Sequence, residues 1–327
     1  MRSMLEDFCN VLHDKHGSSL PLSPGKLAEE FITHAGLSSY PSFLELHSVL
    51  CRYGISEIRA TDALPPDLRG YHCSYKGSDY TIEYEADSWA GRAEFTMGHE
   101  LYEIIQEKYK SLYPNYTIKP AHSICYDANK FSAALLMQAE LFHKALYDTG
   151  FDIVQIHHRF YKSCSAIAIR ACDLAKHSEF PITTEFIIAV YERKSQKNPR
   201  EWGIHDRDSF LINCAVRSPG IKLGRRGPNY RGPRYPRHLI PKRKDKIIPE
   251  SIADLVCDTC KPVYLEKATG FDFWGWNDLS FIARPVFWYG KLAKIVLVGV
   301  RYEDRHVLQP QLEQVNPIIK QWSHQLI

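Results

Sequence analysis

The chain has 327 residues, 44% of them hydrophobic, and a formal net charge of +3. That length and apolar content suffice for a sizeable core and suggest two domains, and the small net charge excludes a molecule-wide polyanion binder, so any electrostatic partner must meet a local patch. No run of about 18 apolar residues exists, which excludes a membrane-spanning helix. The opening MRSMLEDFCNVLHDKHG is acidic early and lacks the apolar stretch of a signal peptide, so a cytoplasmic protein with nine reduced cysteines is expected.

Residues 1–60 predict helices. MLEDFCNVLHDK places Met4, Leu5, Phe8, Val11 and Leu12 on one helix face. SPGKLAEEFITHAG opens with Ser-Pro and closes with Gly, as capped helices do, and SYPSFLELHSVLCRYG repeats the design. Residues 56–87 are rich in Tyr, Thr and Ile and are broken by Pro and Gly. They predict a small antiparallel sheet with turns at Pro65-Pro66 and Lys76-Gly77. AEFTMGHELYEIIQEKYKSLY returns to helical period, and SICYDANKFSAALLMQAELFHKALYDTG predicts a second helix ending at Gly150. A third, IVQIHHRFYKSCSAIAIRACDLAKHS, carries a break near Lys162 and Ser163. Helices, a small sheet and more helices make an α+β domain over residues 1–178.

After Pro181 the texture changes. TTEFIIAVYERK, FLINCAVRSPG, PVYLEKATG, LSFIARPVFWYG and LAKIVLVGVRYED read as strands of a mostly antiparallel sheet, and PQLEQVNPIIKQWSHQLI as a closing helix interrupted by Pro317. A second α+β domain over 179–327 is therefore expected. Within it, residues 217–246 hold eleven Lys or Arg and one acid, Asp245, interleaved with Gly, Pro and Tyr. Such a stretch buries little apolar area and predicts an extended insertion, with arginines and tyrosines spaced to suit phosphates and stacked bases. Nucleic-acid contact through 217–246 is one reading; a solvated loop is the other. CDTC at 257–260 is a lone C-x-x-C without a second pair or a redox-type context, and reads as chance spacing or a loose metal contact.

The chemistry concentrates at FTMGHELYEII, residues 95–105, which reads H-E-x-x-E where zinc peptidases carry H-E-x-x-H. Residues four apart share a helix face, about 5–6 Å apart at Cβ, so His99 and Glu103 can both point at one metal ion. Zinc accepts imidazole nitrogen and carboxylate oxygen at about 2.0–2.2 Å and, in catalytic sites, keeps a position for water. Glu100 stands where a general base would take a proton from that water and pass it to a leaving amine. Taken alone, the motif also describes a solvated charged helix face.

The neighbouring residues add a pattern. RGYH at 69–72, GRAEFTMGHE at 91–100, DANKFSAALLMQAELF at 127–142 and SCSAIAIRACDL at 163–174, in this order and spacing, resemble the ImmA/IrrE metallopeptidase family. Arg92, Phe95, Thr96, His99, Glu100, Ala128, Asn129, Phe131, Ala133, Leu135, Leu136, Met137, Ser163 and Arg170 fall on its pattern. The resemblance covers residues 45–175. It implies a zincin-like fold, a zinc-dependent endopeptidase that cuts a transcriptional repressor or related regulator under stress or induction, and a further sensor domain, here expected to be GAF-like; the alternative is a catalytically lapsed zincin-fold regulatory protein that binds protein or nucleic acid.

Carried over by position, His99 is the first metal ligand and Glu100 the base. Two positions depart from the family. Its second histidine ligand is Glu103 here; the added negative charge favours a harder metal, so Mn2+ stands beside Zn2+. Its glutamate ligand on the next helix is Cys125, whose thiolate is a good zinc donor. Asp127 and His122 are the other candidates for that third place. Asn129, four residues after Cys125, is expected to orient His99.

Overall fold

The structure, a computed structural model, describes residues 3–17, 21–65, 68–75, 79–117, 120–177, 180, 182–194, 202, 207–223, 234–235, 244, 246–247, 251–268 and 279–320. The predicted turn at Lys76-Gly77, Pro66 of the other predicted turn and most of the basic insertion lie outside the described residues. Packing divides the chain into two units, Met1–Leu141 and Phe142–Ile327.

In the first unit, three serines start the first three helices. Ser3, Ser23 and Ser42 accept hydrogen bonds from the amides of Glu6, Lys26 and Glu45, satisfying donors that an uncapped first turn leaves open. The helices are α1 (Met4–His16), α2 (Pro24–Ala35) and α3 (Phe43–Arg52). Gly36 closes α2 in the left-handed region (φ 65°), where a side chain would be strained. Three strands follow: β1 (Ile55–Thr61), β2 (Gly70–Tyr75) and β3 (Asp79–Glu85).

The sheet order is β1-β3-β2, with β2 antiparallel and β1 parallel to β3. This corrects the antiparallel sheet expected from the sequence. The chain leaves β1 and pairs β2 with β3 as a hairpin, and β3 then runs beside β1 in the same direction. Alternation and turn residues give no sign of that strand order.

Next come α4 (Ala90–Leu112), α5 (Ala121–Leu136) and the start of α6 (Ala139–Asp148). The single helix expected up to Gly150 is therefore two helices. Met137 leaves the helical region (φ −137°, ψ 78°) although neither Gly nor Pro marks the break. The core joins Phe8, Phe31, Tyr53 and Phe131 with Met97, Leu101 and Leu135, all essentially buried. Phe8 meets Phe31 edge-on at 5.3 Å between ring centroids, a preferred aromatic geometry.

In the second unit, α7 (Ile153–Phe160) and α8 (Cys164–His177) are separated at residues 161–163, as expected. The strands are β4 (Phe186–Arg193), β5 (Phe210–Arg217), the short β6 (Lys222–Leu223) and β7 (Arg234–Tyr235), then β8 (Val263–Ala268), β9 (Leu279–Trp288), β10 (Lys291–Arg301) and β11 (Ile318–Lys320), with α9 (Ile252–Thr259) and α10 (Gln309–Val315) between them. The main sheet has the order β11-β8-β9-β10-β4-β5 and is antiparallel except for β11 along β8. β4 and β10 sit inside the sheet and are apolar almost throughout, as strands covered on both faces must be. β9 and β10 join through Tyr289 and Gly290, both at positive φ, the two-residue turn whose twist matches the strands.

The expected closing helix is also corrected. α10 stops at Val315, Asn316 takes a left-handed conformation, and the chain passes Pro317 into β11. Proline lacks the amide a helix interior needs, whereas the amide of Ile318 is free to bond the carbonyl of Pro262. No helix among the described residues is long and apolar enough to cross a membrane.

Candidate metal centre on the long helix

α4 presents two faces. Met97, Leu101, Ile104 and Ile105 turn into the core, while Glu100, Glu103 and Glu107 follow one another up a different side at spacings of three and four. Two close approaches set what faces them. A Cβ placed on Gly98 would stand 2.7 Å from Ser132 Oγ, so only glycine lets α5 come this near. Ser132 Oγ uses the gap to donate to the carbonyl of Phe95 at 2.7 Å. On the other flank, a Cβ on Gly70 would fall 2.2 Å from Thr96 Cγ2, so β2 lies directly against α4. His72, two residues on, shares the face of Gly70, because side chains alternate along a strand.

The first approach serves His99. Its Nδ1 donates to Asn129 Oδ1 at 3.1 Å, which turns Nε2 toward Glu103 Oε1 at 3.3 Å. Burial opposes charge on this ring, but the hydrogen bond to Glu103, the charge of Glu100 and the bond to Asn129 outweigh it and raise its pKa. The same bond from His99 holds Glu103 below the usual carboxylate range, against the opposing effect of burial.

The second approach brings in a histidine that motif reading did not assign. His72 Nδ1 lies 2.8 Å from Glu100 Oε2 and 3.9 Å from Glu103 Oε2, and its Nε2 lies 3.2 Å from Glu107 Oε1. Both ring nitrogens face carboxylate oxygens, so with no other cation present both carry protons. Burial acts against that charge, yet the bonds to Glu100 and Glu107 prevail and hold the pKa up at about 10. The side chains of His72 and Glu100 are 9% and 8% exposed and that of Glu103 is 29% exposed, so the centre opens on the Glu103 side.

Among the described residues one group of three metal-type donors forms: His72, Glu100 and Glu103, with ligand atoms within 4.8 Å of one another. One imidazole nitrogen and two carboxylate oxygens are donors that zinc or manganese accepts, so the residues present fit a divalent ion. Of the residues singled out from the sequence, His99, Glu100 and Glu103 come together. Cys125 is exposed, and neither it nor Asp127 joins a three-donor group. Asp127 is buried on the side of α4 that carries Tyr102: burial, and after it the charge of Asp127, push that hydroxyl's pKa up. The side chain of His122 lies outside the described residues. Cys257 is buried at the end of α9, and Cys260 caps that helix in a left-handed conformation. The sequence signal for His72 was present in RGYH: a histidine two residues past a glycine, on the same strand face.

The comparisons with known proteins agree with this region. Residues 54–171 match the IrrE N-terminal-like domain of the M78 peptidases. No curated protein gives a significant sequence match. Among solved structures, a Mycobacterium tuberculosis transcriptional regulator shares the fold with a TM-score of 0.54 at 15% identity, over 93% of this chain and 83% of that one.

Proposed function

We propose, for a chain that carries an IrrE N-terminal-like domain over residues 54–171, a regulatory role in which the zincin-like scaffold keeps a divalent ion and binds a regulatory partner without cleaving it. One observation carries the reading. Glu100, at the position the family uses as general base, has its carboxylate engaged by His72 at 2.8 Å in a buried pair. One of its two carboxylate oxygens is thereby held by the imidazole. The family's other ligand positions support the same view: Glu103 replaces a histidine, and Cys125, in place of a glutamate, is exposed. The structural neighbour is a transcriptional regulator, which supports a partner or context of that kind.

Packing divides the chain at Leu141/Phe142, whereas the family match runs on to residue 171. We assign residues 1–178, which contain that match, to the zincin-like part and 179–327 to a GAF-like partner-binding part. Its basic insertion at 217–246 would meet an acidic or nucleic-acid surface of the partner. The ion would be Zn2+, with Mn2+ the harder alternative, and Glu103 is common to every donor set the centre offers. When bound, the ion supplies a Lewis-acidic positive charge among the carboxylates. A cytoplasmic location accords with these assignments.

A second reading, a metal-dependent endopeptidase acting on a regulatory protein, is favoured by one observation: Asn129 orients His99 so that Nε2 and Glu103 Oε1 lie 3.3 Å apart. In that reading His99 and Glu103, with Cys125, Asp127 or His122, hold the ion. Glu100, parted from His72, takes a proton from water and returns it to the leaving amine.

The two readings separate in one experiment. Wild type and Glu100→Gln, each loaded with ZnCl2 or MnCl2, are incubated with an extract of the source cells, and newly created protein N-termini are labelled and sequenced by mass spectrometry. The regulatory reading expects no new N-termini that depend on Glu100. Termini produced by wild type alone overturn it and establish the peptidase.

A further inference from the structure

The geometry points to a divalent-cation site whose protein ligands are His72, Glu100 and Glu103, so that the carboxylate the family uses as a base serves here as a ligand. The inference rests on the proposed retention of an ion by the scaffold, and it names the atoms that hold it.

Three lines of argument converge. First, the donors come from two separate elements fixed against each other. The contact of Gly70 with Thr96 sets the distance between β2 and α4, and His72 and Glu100 stand on those two elements beside that contact. The resulting set is mixed, one nitrogen and two oxygens within 4.8 Å, where an acidic cluster alone would lack the imidazole. Second, the imidazole has the outer partner that metal-bound histidines use. With Nδ1 toward the ion, Nε2–H donates to Glu107 Oε1 at 3.2 Å, which fixes both ring orientation and tautomer.

Third, charge demands a cation. Glu100, Glu103 and Glu107 stand on one helix face, where like charges at spacings of three and four repel. A divalent cation held between Glu100 and Glu103 relieves that repulsion. The exposed flank at Glu103 leaves room for water to complete the coordination. His99 stands on the far side of Glu103, where its Nε2 contacts the other carboxylate oxygen. It is a positioning residue for Glu103 and no ligand.

The test uses purified full-length protein stripped with a chelator, then titrated separately with ZnCl2 and MnCl2 by calorimetry and metal analysis. Wild type is expected to take up one equivalent of at least one of the two. His72→Asn and Glu100→Gln should each weaken that binding by about 100-fold or more, since loss of a mere outer partner already costs about 10–100-fold. Cys125→Ser should change it by less than about 10-fold, and His99→Ala, which removes an outer partner of Glu103, by no more than about 10–100-fold. The reverse pattern overturns the assignment, as does a wild type that binds neither metal.

A second measurement separates ligation from folding. The Co2+-loaded wild-type protein should show no thiolate charge-transfer band, because the set holds only nitrogen and oxygen. A band that disappears in Cys125→Ser would overturn it. The outcome is independent of the cleavage experiment: Glu100-dependent new N-termini would remove the non-hydrolytic reading, whereas the titration judges the ligand set by itself.

Discussion

Gly98→Ala tests whether the approach of α4 to α5 builds the site. The added methyl would stand 2.7 Å from Ser132 Oγ and 3.1 Å from Ser132 Cβ, and Ser132 is fully buried, so it has no solvent to move into. Overpacking of this kind costs about 1–3 kcal/mol. Turning the Ser132 hydroxyl aside also loses its bond to the Phe95 carbonyl, about 0.5–1.5 kcal/mol. Against this, alanine in a helix interior gains about 1 kcal/mol over glycine. The net expectation is a loss of about 1–3 kcal/mol, read from urea unfolding followed by circular dichroism. The partner substitution makes the test specific: in Gly98→Ala/Ser132→Gly the space is returned, so the double-mutant cycle should show a favourable coupling of about 0.5–3 kcal/mol. Because Asn129 rides on the same helix as Ser132, the single variant should also disturb the His99 ring, visible as a shifted imidazole resonance. A Gly98→Ala protein as stable as wild type, with no coupling to position 132, would refute the claim that glycine is required by this contact.

Three further outcomes are expected. Gly70→Ala should push β2 away from Thr96 and carry His72 with it. It should weaken Zn2+ or Mn2+ binding by at least about 10-fold, as disturbing outer support of a metal site does, and unchanged affinity would count against the role given to this contact. Arg284→Met should destabilise the second unit by about 3–5 kcal/mol in urea unfolding, because Asp152, wholly buried and ion-paired with Arg284 while capping Val154 and Gln155, would be left an unpaired buried charge. The pKa of His157 is lowered, first by burial, with the charges of His158 and Lys294 adding to it and its bond to the Lys162 carbonyl partly offsetting it. The unfolded chain therefore binds more protons than the folded one just below the ordinary histidine pKa of 6.5, and the contribution of this residue falls as pH drops through that value. The stability difference between wild type and His157→Gln should shrink between about pH 7.5 and 5.5; a constant difference would contradict the assignment.

How far the molecule was legible from its residues depended on the range of the interactions involved. Ser23 and Ser42 announced their helices because a cap acts over three residues, and the break at 161–163 is equally local, whereas the cap at Ser3 and the turn at Tyr289-Gly290 are seen only in the structure. The order β1-β3-β2 was not legible, because which edge of β3 a strand takes is decided by tertiary packing. Nor was the break at Met137, which follows a run of good helix formers and carries no punctuating residue. The site divides in the same way. His99, Glu103 and Asn129 follow from spacing of four along helices and were named in advance. His72 reaches Glu100 across 28 positions of sequence, and only the glycine before it hinted at a strand lying close to another element.

The same helix explains why a family pattern can persist while its ligands change. On α4, Met97, Leu101, Ile104 and Ile105 supply packing, and on α5 Phe131, Leu135 and Leu136 answer them; all are essentially buried, and none touches the chemistry. His99, Glu100, Glu103 and Glu107 occupy another side, where substitution leaves the core intact. Two positions are tied to both sides: Gly98, which admits α5, and Gly70, which admits β2. Core packing therefore sets the helix pair and the approach of the strand, and these deliver an imidazole from β2 to the acidic face. Once that imidazole is in place, Glu100 has a partner in the absence of any substrate. A carboxylate paired in the resting state is suited to holding an ion or an imidazole in a fixed position.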